Sequence, residues 1–308
     1  MEKLLNLVKG TWPKKSGCNF PFLLSGFGLT RFPFAPILGR MNPPLSAMPR
    51  RELFFGFLLV FGLACATTGP GGKKSLVFIG SGTEVSMGKQ AEKEVLAQSK
   101  ILADTAWQSY VSRVGQSLAQ FSERKDAQYS FTVLESKEIN AFALPGGPLY
   151  IYTGLLKLME DESELAAVLG HEIGHVDGRH AVRQMQPVVG LAAIEALAFG
   201  DKTPAARQAL NVVLGIALTG YGRGHELEAD RFGLVYMQRA GYDPNGTVRM
   251  FTKLGGQGER ERNVFEKLSA SHPETKERIA QLEAEIKKLP SGGKTGRETY
   301  QQMKKRLP

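Results

Sequence analysis

The segment Val168-Leu169-Gly170-His171-Glu172-Ile173-Gly174-His175 constrains this chain more than any other. It sets two histidines four residues apart inside an apolar helical pattern, and residues i and i+4 of an α-helix project from one face. His171 and His175 can therefore turn imidazole nitrogens towards one metal ion. Glu172, beside the first of them, can reach a water there as a general base. The helix is well signalled. Asp161 and Ser163 offer N-caps, acidic residues crowd the first turn, and Leu165, Val168, Leu169 and Ile173 make an apolar stripe. The plainer reading is a core helix whose histidines bond to neighbours, and a third ligand would decide against it.

Two sources for that ligand compete. One pattern continues from His175 to a glycine and a third histidine. Gly178 falls on the glycine position, but His180 arrives one residue early. The other source is a glutamate on a later helix, in Gly224-His225-Glu226-Leu227-Glu228-Ala229-Asp230-Arg231. There Glu226 and Asp230 share a face, whereas Glu228 points away from it. Glu226 is read as the third ligand, with Asp230 supporting a ligand imidazole from behind. His180 then becomes a surface histidine or a supporting one, and Glu228 a packing residue.

These motifs, H-E-I-G-H followed by E-L-E-A-D, resemble the zinc metallopeptidase family of the CAAX prenyl protease, the HtpX heat-shock protease and the mitochondrial Oma protease. The segment Asn140-Ala141-Phe142-Ala143-Leu144-Pro145-Gly146-Gly147 is similar to a signature of its soluble branch, which includes BepA and LoiP. Ser271-His272-Pro273 followed by Arg278-Ile279 is also similar to that branch. The resemblance spans roughly residues 78 to 285, with one departure at Gly222, where the family pattern has serine. It implies an endopeptidase that acts on misfolded or stalled proteins of the bacterial envelope. Zinc, one per chain, would be held by His171, His175 and Glu226, although manganese, cobalt or iron suit the same ligands. His272 sits where a proline fixes the chain. Three roles are open to it: a fourth ligand that closes the site, a donor to the transition-state oxyanion, or a helix contact without catalytic part.

The formal charge of +9 raises nucleic acid as a partner, but its placement argues against that. Residues 1 to 52 carry a net +6, leaving +3 for the rest, with no basic face interleaved with aromatics. Cys18 and Cys65 are the only cysteines, so the expected catalytic body has neither thiols nor disulfides. Arg50 and Arg51 precede an apolar run, Leu53 to Leu63, that ends at Ala64-Cys65 in the manner of a bacterial lipoprotein signal. That run is too short to span a membrane comfortably. Cys65 is the expected lipidation site, and Ala66 after it favours the outer membrane over the inner. Met48 would be a normal start for such a signal, so residues 1 to 47 read as a misassigned extension.

The expected organisation is a signal peptide at 48–64, a flexible tether at 65–77, a catalytic domain at 78–285 and a basic, solvated tail at 286–308. The expected fold class is α+β: a mainly helical zincin of the glutamate type with a small antiparallel sheet. Tyr129 to Leu134 alternates as a strand, and extended pieces flank the Pro145-Gly146-Gly147 turn. Asn140, Ala141, Phe142 and Ala143 are the candidate edge strand for an extended substrate, with a structural hairpin as the plainer reading. Two apolar stretches, Val188 to Phe199 and Ala205 to Thr219, read as core helices, a mobile cover or membrane-dipping segments. The expected partners are unfolded or misassembled envelope proteins, and the membrane through a lipid anchor. The rival from another class is a metal-stabilised chaperone or assembly factor that binds such proteins without cleaving them. A purely structural metal site has no need of Glu172.

Overall fold

The computed structural model describes residues 65–67, 74–255, 272 and 276–308. The expected extension, the signal peptide, and Ser271 and Pro273 lie outside the described residues. Strands β1 (Cys65–Thr67) and β2 (Lys74–Leu76) pair antiparallel with Cys65 opposite Leu76, so the two ends of the expected flexible tether are joined.

Helices α1 (Ser81–Gln98) and α2 (Thr105–Ala119) follow. Asp104 caps α2 by accepting from the Ala106 and Trp107 amides. Strands β3 (Ser130–Leu134), β4 (Ala141–Ala143) and β5 (Pro148–Tyr152) then form one sheet in the order β3-β5-β4. The sheet is mixed rather than wholly antiparallel: β4 pairs antiparallel with β5, and β3 pairs parallel with it. The cause is the tight turn between β4 and β5. Gly146 and Gly147 take φ of 77° and 125°, backbone that other residues rarely adopt, and bring β5 straight back beside β4. The far side of β5 is then left for β3, running the same way.

Five helices lead from the sheet to the second ligand segment: α3 (Thr153–Leu158), α4 (Glu162–Asp177), α5 (His180–Met185), α6 (Leu191–Ala198) and α7 (Pro204–Thr219). Among the described residues four more follow: α8 (Arg223–Arg239), α9 (Asn245–Gly255), α10 (Lys276–Ile286) and α11 (Arg297–Lys304). The mainly helical α+β class is as expected. Both sheet faces are covered, because successive strand residues point to opposite sides. Ala141, Ala143, Leu149 and Ile151 join a core with α2, α4 and α8, while Phe142, Tyr150 and Tyr152 join another with α1, α5, α6 and α7. The two apolar stretches thus contribute core helices, burying Ile194, Leu197, Ala209 and Val213. Val188, Leu191 and Phe199 stay exposed. Among the described residues, no helix is long and apolar enough to cross a membrane.

The metal helix expected from the sequence is α4, capped by Asp161, which accepts from the Glu164 amide. It crosses α8 where both present small residues. A Cβ on Gly174 would meet the Ala229 carbonyl oxygen at 2.8 Å, and one on Gly233 would meet the His171 nitrogen at 3.0 Å. Main chains in contact bring the ligands of the two helices within reach of each other.

The C-terminal residues are not a solvated tail. Tyr300, on α11, is fully buried against Trp107 and donates from its hydroxyl to Leu156 O at 2.7 Å. Met303 and Leu307 pack on the same core. Of the basic run that suggested solvation, Lys305 is exposed, while Lys304 donates to Met159 O and Arg306 pairs with the Asp104 carboxylate.

Candidate metal centre

Helix α4 supplies His171, Glu172 and His175, the first turn of α8 supplies Glu226, and its second turn Asp230. His171 Nε2 lies 2.9 Å from His175 Nε2 and 3.3 Å from Glu226 Oε2, and His175 Nε2 lies 3.5 Å from Glu226 Oε1. His272 joins them, with Nδ1 3.2 Å from His171 Nε2 and 3.1 Å from Glu226 Oε2. Four ligands at zinc-like bond lengths of about 2.0–2.1 Å sit at tetrahedron corners some 3.3 Å apart. The observed separations bracket that edge. These four residues could hold a metal ion, and all four are buried.

The donors fit such an ion on independent grounds. Glu226 Oε1 is buried and has no hydrogen-bond partner. An acceptor left so costs about 1–3 kcal/mol, and a cation among the imidazole nitrogens would satisfy it. Imidazole and carboxylate together are a set that zinc accepts.

Electrostatics around the cluster are strongly perturbed. Burial would lower the His171 imidazole, but Asp230 and Glu226 beside it push it up to about 10. Burial holds His175 well below its ordinary value. It would likewise raise the Glu226 carboxyl, yet His272, His175 and His171 keep that group far below the usual carboxylate range. Glu172 is raised, chiefly by burial, with the Ala143 amide as an opposing donor. Its Oε1 is 3.6 Å from His272 Nε2, and its Oε2 is buried without a partner.

The residues behind the ligands are only partly those expected. Asp230 Oδ1 lies 2.9 Å from His171 Nδ1, the supporting position read from the helix face. Arg278, fully buried on α10, entered the sequence reading only within the Arg278-Ile279 likeness, with no role assigned. It donates to both Asp230 oxygens at 2.7 Å and lies 3.0 Å from Glu226 Oε2. Tyr221, also missed, stacks on His175 with ring centroids 4.0 Å apart. Glu228 does leave the face of Glu226 and Asp230, but it is no mere packing residue. Its Oε2 meets Arg183 Nη1 at 2.8 Å and His180 Nε2 at 3.2 Å. His180 is fully buried, and its Nδ1 lies 2.9 Å from His175 Nδ1.

The candidate edge strand lies next to the cluster. The Tyr152 amide donates to Asn140 O and the Leu144 amide to Pro148 O, so these residues face β5. By alternation Ala141 and Ala143 turn their backbone groups to the outer side, on which β4 has no partner strand among the described residues. Asn140 is buried, with Oδ1 unpartnered. A cavity of about 40 Å³ is lined by Ala141, His171, Glu172, Met250, Phe251 and His272. It has room for only a few waters.

Residues 105–286 match the model of peptidase family M48. The chain is 30% identical over 184 residues to the β-barrel assembly-enhancing protease of Yersinia pestis, covering 56% of this chain and 38% of that protein. It is 29% identical over 207 residues to the mitochondrial metalloendopeptidase OMA1 of Schizosaccharomyces pombe, covering 65% and 60%. It is 28% identical over 244 residues to the metalloprotease LoiP of Escherichia coli, covering 73% and 94%. The chain spans less than half the length of the β-barrel assembly-enhancing proteases it matches.

Proposed function

The chain belongs to peptidase family M48, and on that basis we propose that it is a zinc-dependent endopeptidase cleaving misfolded or stalled proteins of the bacterial envelope. One observation carries the reading: the Glu172 carboxylate, raised by burial, stands beside four convergent ligand atoms. Its partnerless Oε2 is a free proton acceptor inside the protein.

In this reading His171, His175 and Glu226 hold the zinc ion, and Asp230 orients His171 from behind. Zinc bound there supplies Lewis acidity, polarising a peptide carbonyl and acidifying a water. Glu172 takes the proton from the attacking water and returns it to the leaving amine nitrogen. A raised carboxyl is suited to both tasks near neutral pH. The outer edge of β4, through Ala141 and the Ala143 carbonyl, offers main-chain bonds to an extended substrate. Recognition of that kind is indifferent to side chains and suits unfolded clients.

The envelope location rests on Cys65 as a lipid anchor and on the kinship with LoiP and the β-barrel assembly-enhancing proteases. The test compares wild type with Glu172→Gln on unfolded casein, with zinc content measured in both. Cleavage should vanish in the variant while zinc stays near one per chain. Retained proteolysis in the zinc-loaded variant would remove Glu172 from its role. A wild type that holds casein, binds zinc and cleaves nothing would favour the chaperone instead.

A further inference from the structure

We propose that Glu228 and His180 form a positioning relay for His175, fixing the proton on its Nδ1 so that Nε2 presents a lone pair to the metal. The proposal rests on the reading of the cluster as a metal centre.

The proton bookkeeping leaves one arrangement. An ionised carboxylate can only accept, so the His180 nitrogen 3.2 Å from Glu228 Oε2, Nε2, carries a hydrogen. A neutral imidazole has one N–H, hence His180 Nδ1 is an acceptor. It lies 2.9 Å from His175 Nδ1, which must then be the donor. The single proton of His175 is thereby committed to its outer side. Its Nε2 faces His171 and Glu226 with a lone pair.

The groups around the relay hold these states. Arg183 donates to the same Glu228 oxygen at 2.8 Å. A doubly protonated His180 would set N–H against N–H at His175. Both rings are also restrained in rotation. Tyr221 stacks on His175 at an interplanar angle of 17°, and His225 stacks on His180 at 16°.

The first two turns of α8 would then serve the whole centre. Glu226 is a ligand, Asp230 orients His171 directly, and Glu228 orients His175 through one intervening ring. This gives Glu228 a task that its direction on the helix conceals.

Glutamine separates the relay from simple filling of space, because its amide oxygen can accept from His175 while its NH₂ donates to Glu228. Leucine fills the site and does neither. The experiment measures zinc affinity by chelator competition, and melting of the metal-free protein, for the full chain and its variants. His180→Leu and Glu228→Ala should weaken zinc binding by roughly 10- to 100-fold, the range for residues that orient ligands. His180→Gln should recover most of that loss. The double variant His180→Leu/Glu228→Ala should bind no worse than the weaker single, since one chain of bonds is broken only once.

Wild-type zinc affinity in His180→Leu, equal losses in the Gln and Leu variants, or additive losses in the double variant would each overturn the relay. A purely structural role would lower the melting temperature of the metal-free protein and leave the affinity of the folded fraction intact. Should His180→Leu fail to fold, Glu228→Ala and His180→Gln carry the comparison, and opposite outcomes from these two are still required. A wild type that binds no zinc would overturn the underlying reading instead.

Discussion

The His272 imidazole stands against the Glu226 carboxylate, Nδ1 to Oε2, at 3.1 Å. Its nitrogen is thereby one of four convergent candidate ligand atoms, and on that ground we take a closing ligand as its role. His272→Ala should raise peptide cleavage several-fold and lower zinc affinity. A fall in activity with zinc retained would make the histidine a donor to the oxyanion. No change in either would leave it a structural part.

Glu226→Gln removes a ligand charge, and Asp230→Asn removes only the acceptor behind His171. Zinc affinity should fall more in the first than in the second, where a loss of about 10- to 100-fold is expected. Chelator competition on both purified variants ranks them, and the reverse order would show that Glu226 is not a ligand.

Gly174→Ala should separate the two ligand-bearing helices. Its new Cβ would lie 2.8 Å from Ala229 O and 3.0 Å from Ala229 Cα, main-chain atoms that cannot swing aside. A cost of about 1–3 kcal/mol is expected in denaturant unfolding, as for other overpacked sites. Zinc affinity should fall with it, and a variant that binds zinc normally would uncouple helix contact from ligand spacing.

Tyr300→Ala should destabilise the fold by about 3–5 kcal/mol, the usual scale for deleting a buried aromatic ring. Tyr300→Phe loses only the bond to Leu156 O and should cost about 1 kcal/mol. Chemical denaturation of the three proteins checks both figures. Equal stability of Tyr300→Ala and wild type would mean that α11 does not dock in solution.

Cys65→Ser should release the protein from membranes into the soluble envelope fraction, or leave it as an unprocessed precursor. Fractionation with mass measurement decides it, and membrane-bound protein at the processed mass would exclude a lipid on this cysteine.

What the sequence disclosed about the centre followed helical spacing. His171 with His175, and Glu226 with Asp230, are i and i+4 pairs, and each pair lies on one face as that spacing requires. Spacing says where a side chain points but not what awaits it. Glu228 points away from the ligands, yet there it meets His180, brought under His175 by the left-handed turn at Arg179. Arg278 reaches Asp230 across 48 residues, and no local pattern carries such a pairing. The parallel β3–β5 pair was hidden for a similar reason, since strand order is set by the hairpin that intervenes. The docked C-terminal helix had a faint signal. Tyr300, Met303 and Leu307 fall at i, i+3 and i+7, a stripe too sparse to outweigh the basic residues around it.

The seam of small residues between α4 and α8 bears on ion choice. With Gly174 against Ala229 and Gly233 against the His171 nitrogen, the two helices are held in main-chain contact beside the candidate ligands. Calcium asks for six to eight oxygens at about 2.3–2.6 Å. Three imidazoles and one carboxylate would offer calcium few of those oxygens. For the zinc centre proposed above, discrimination against larger, harder cations would then rest partly on how the helices touch, one layer beneath the chemistry of the ligands.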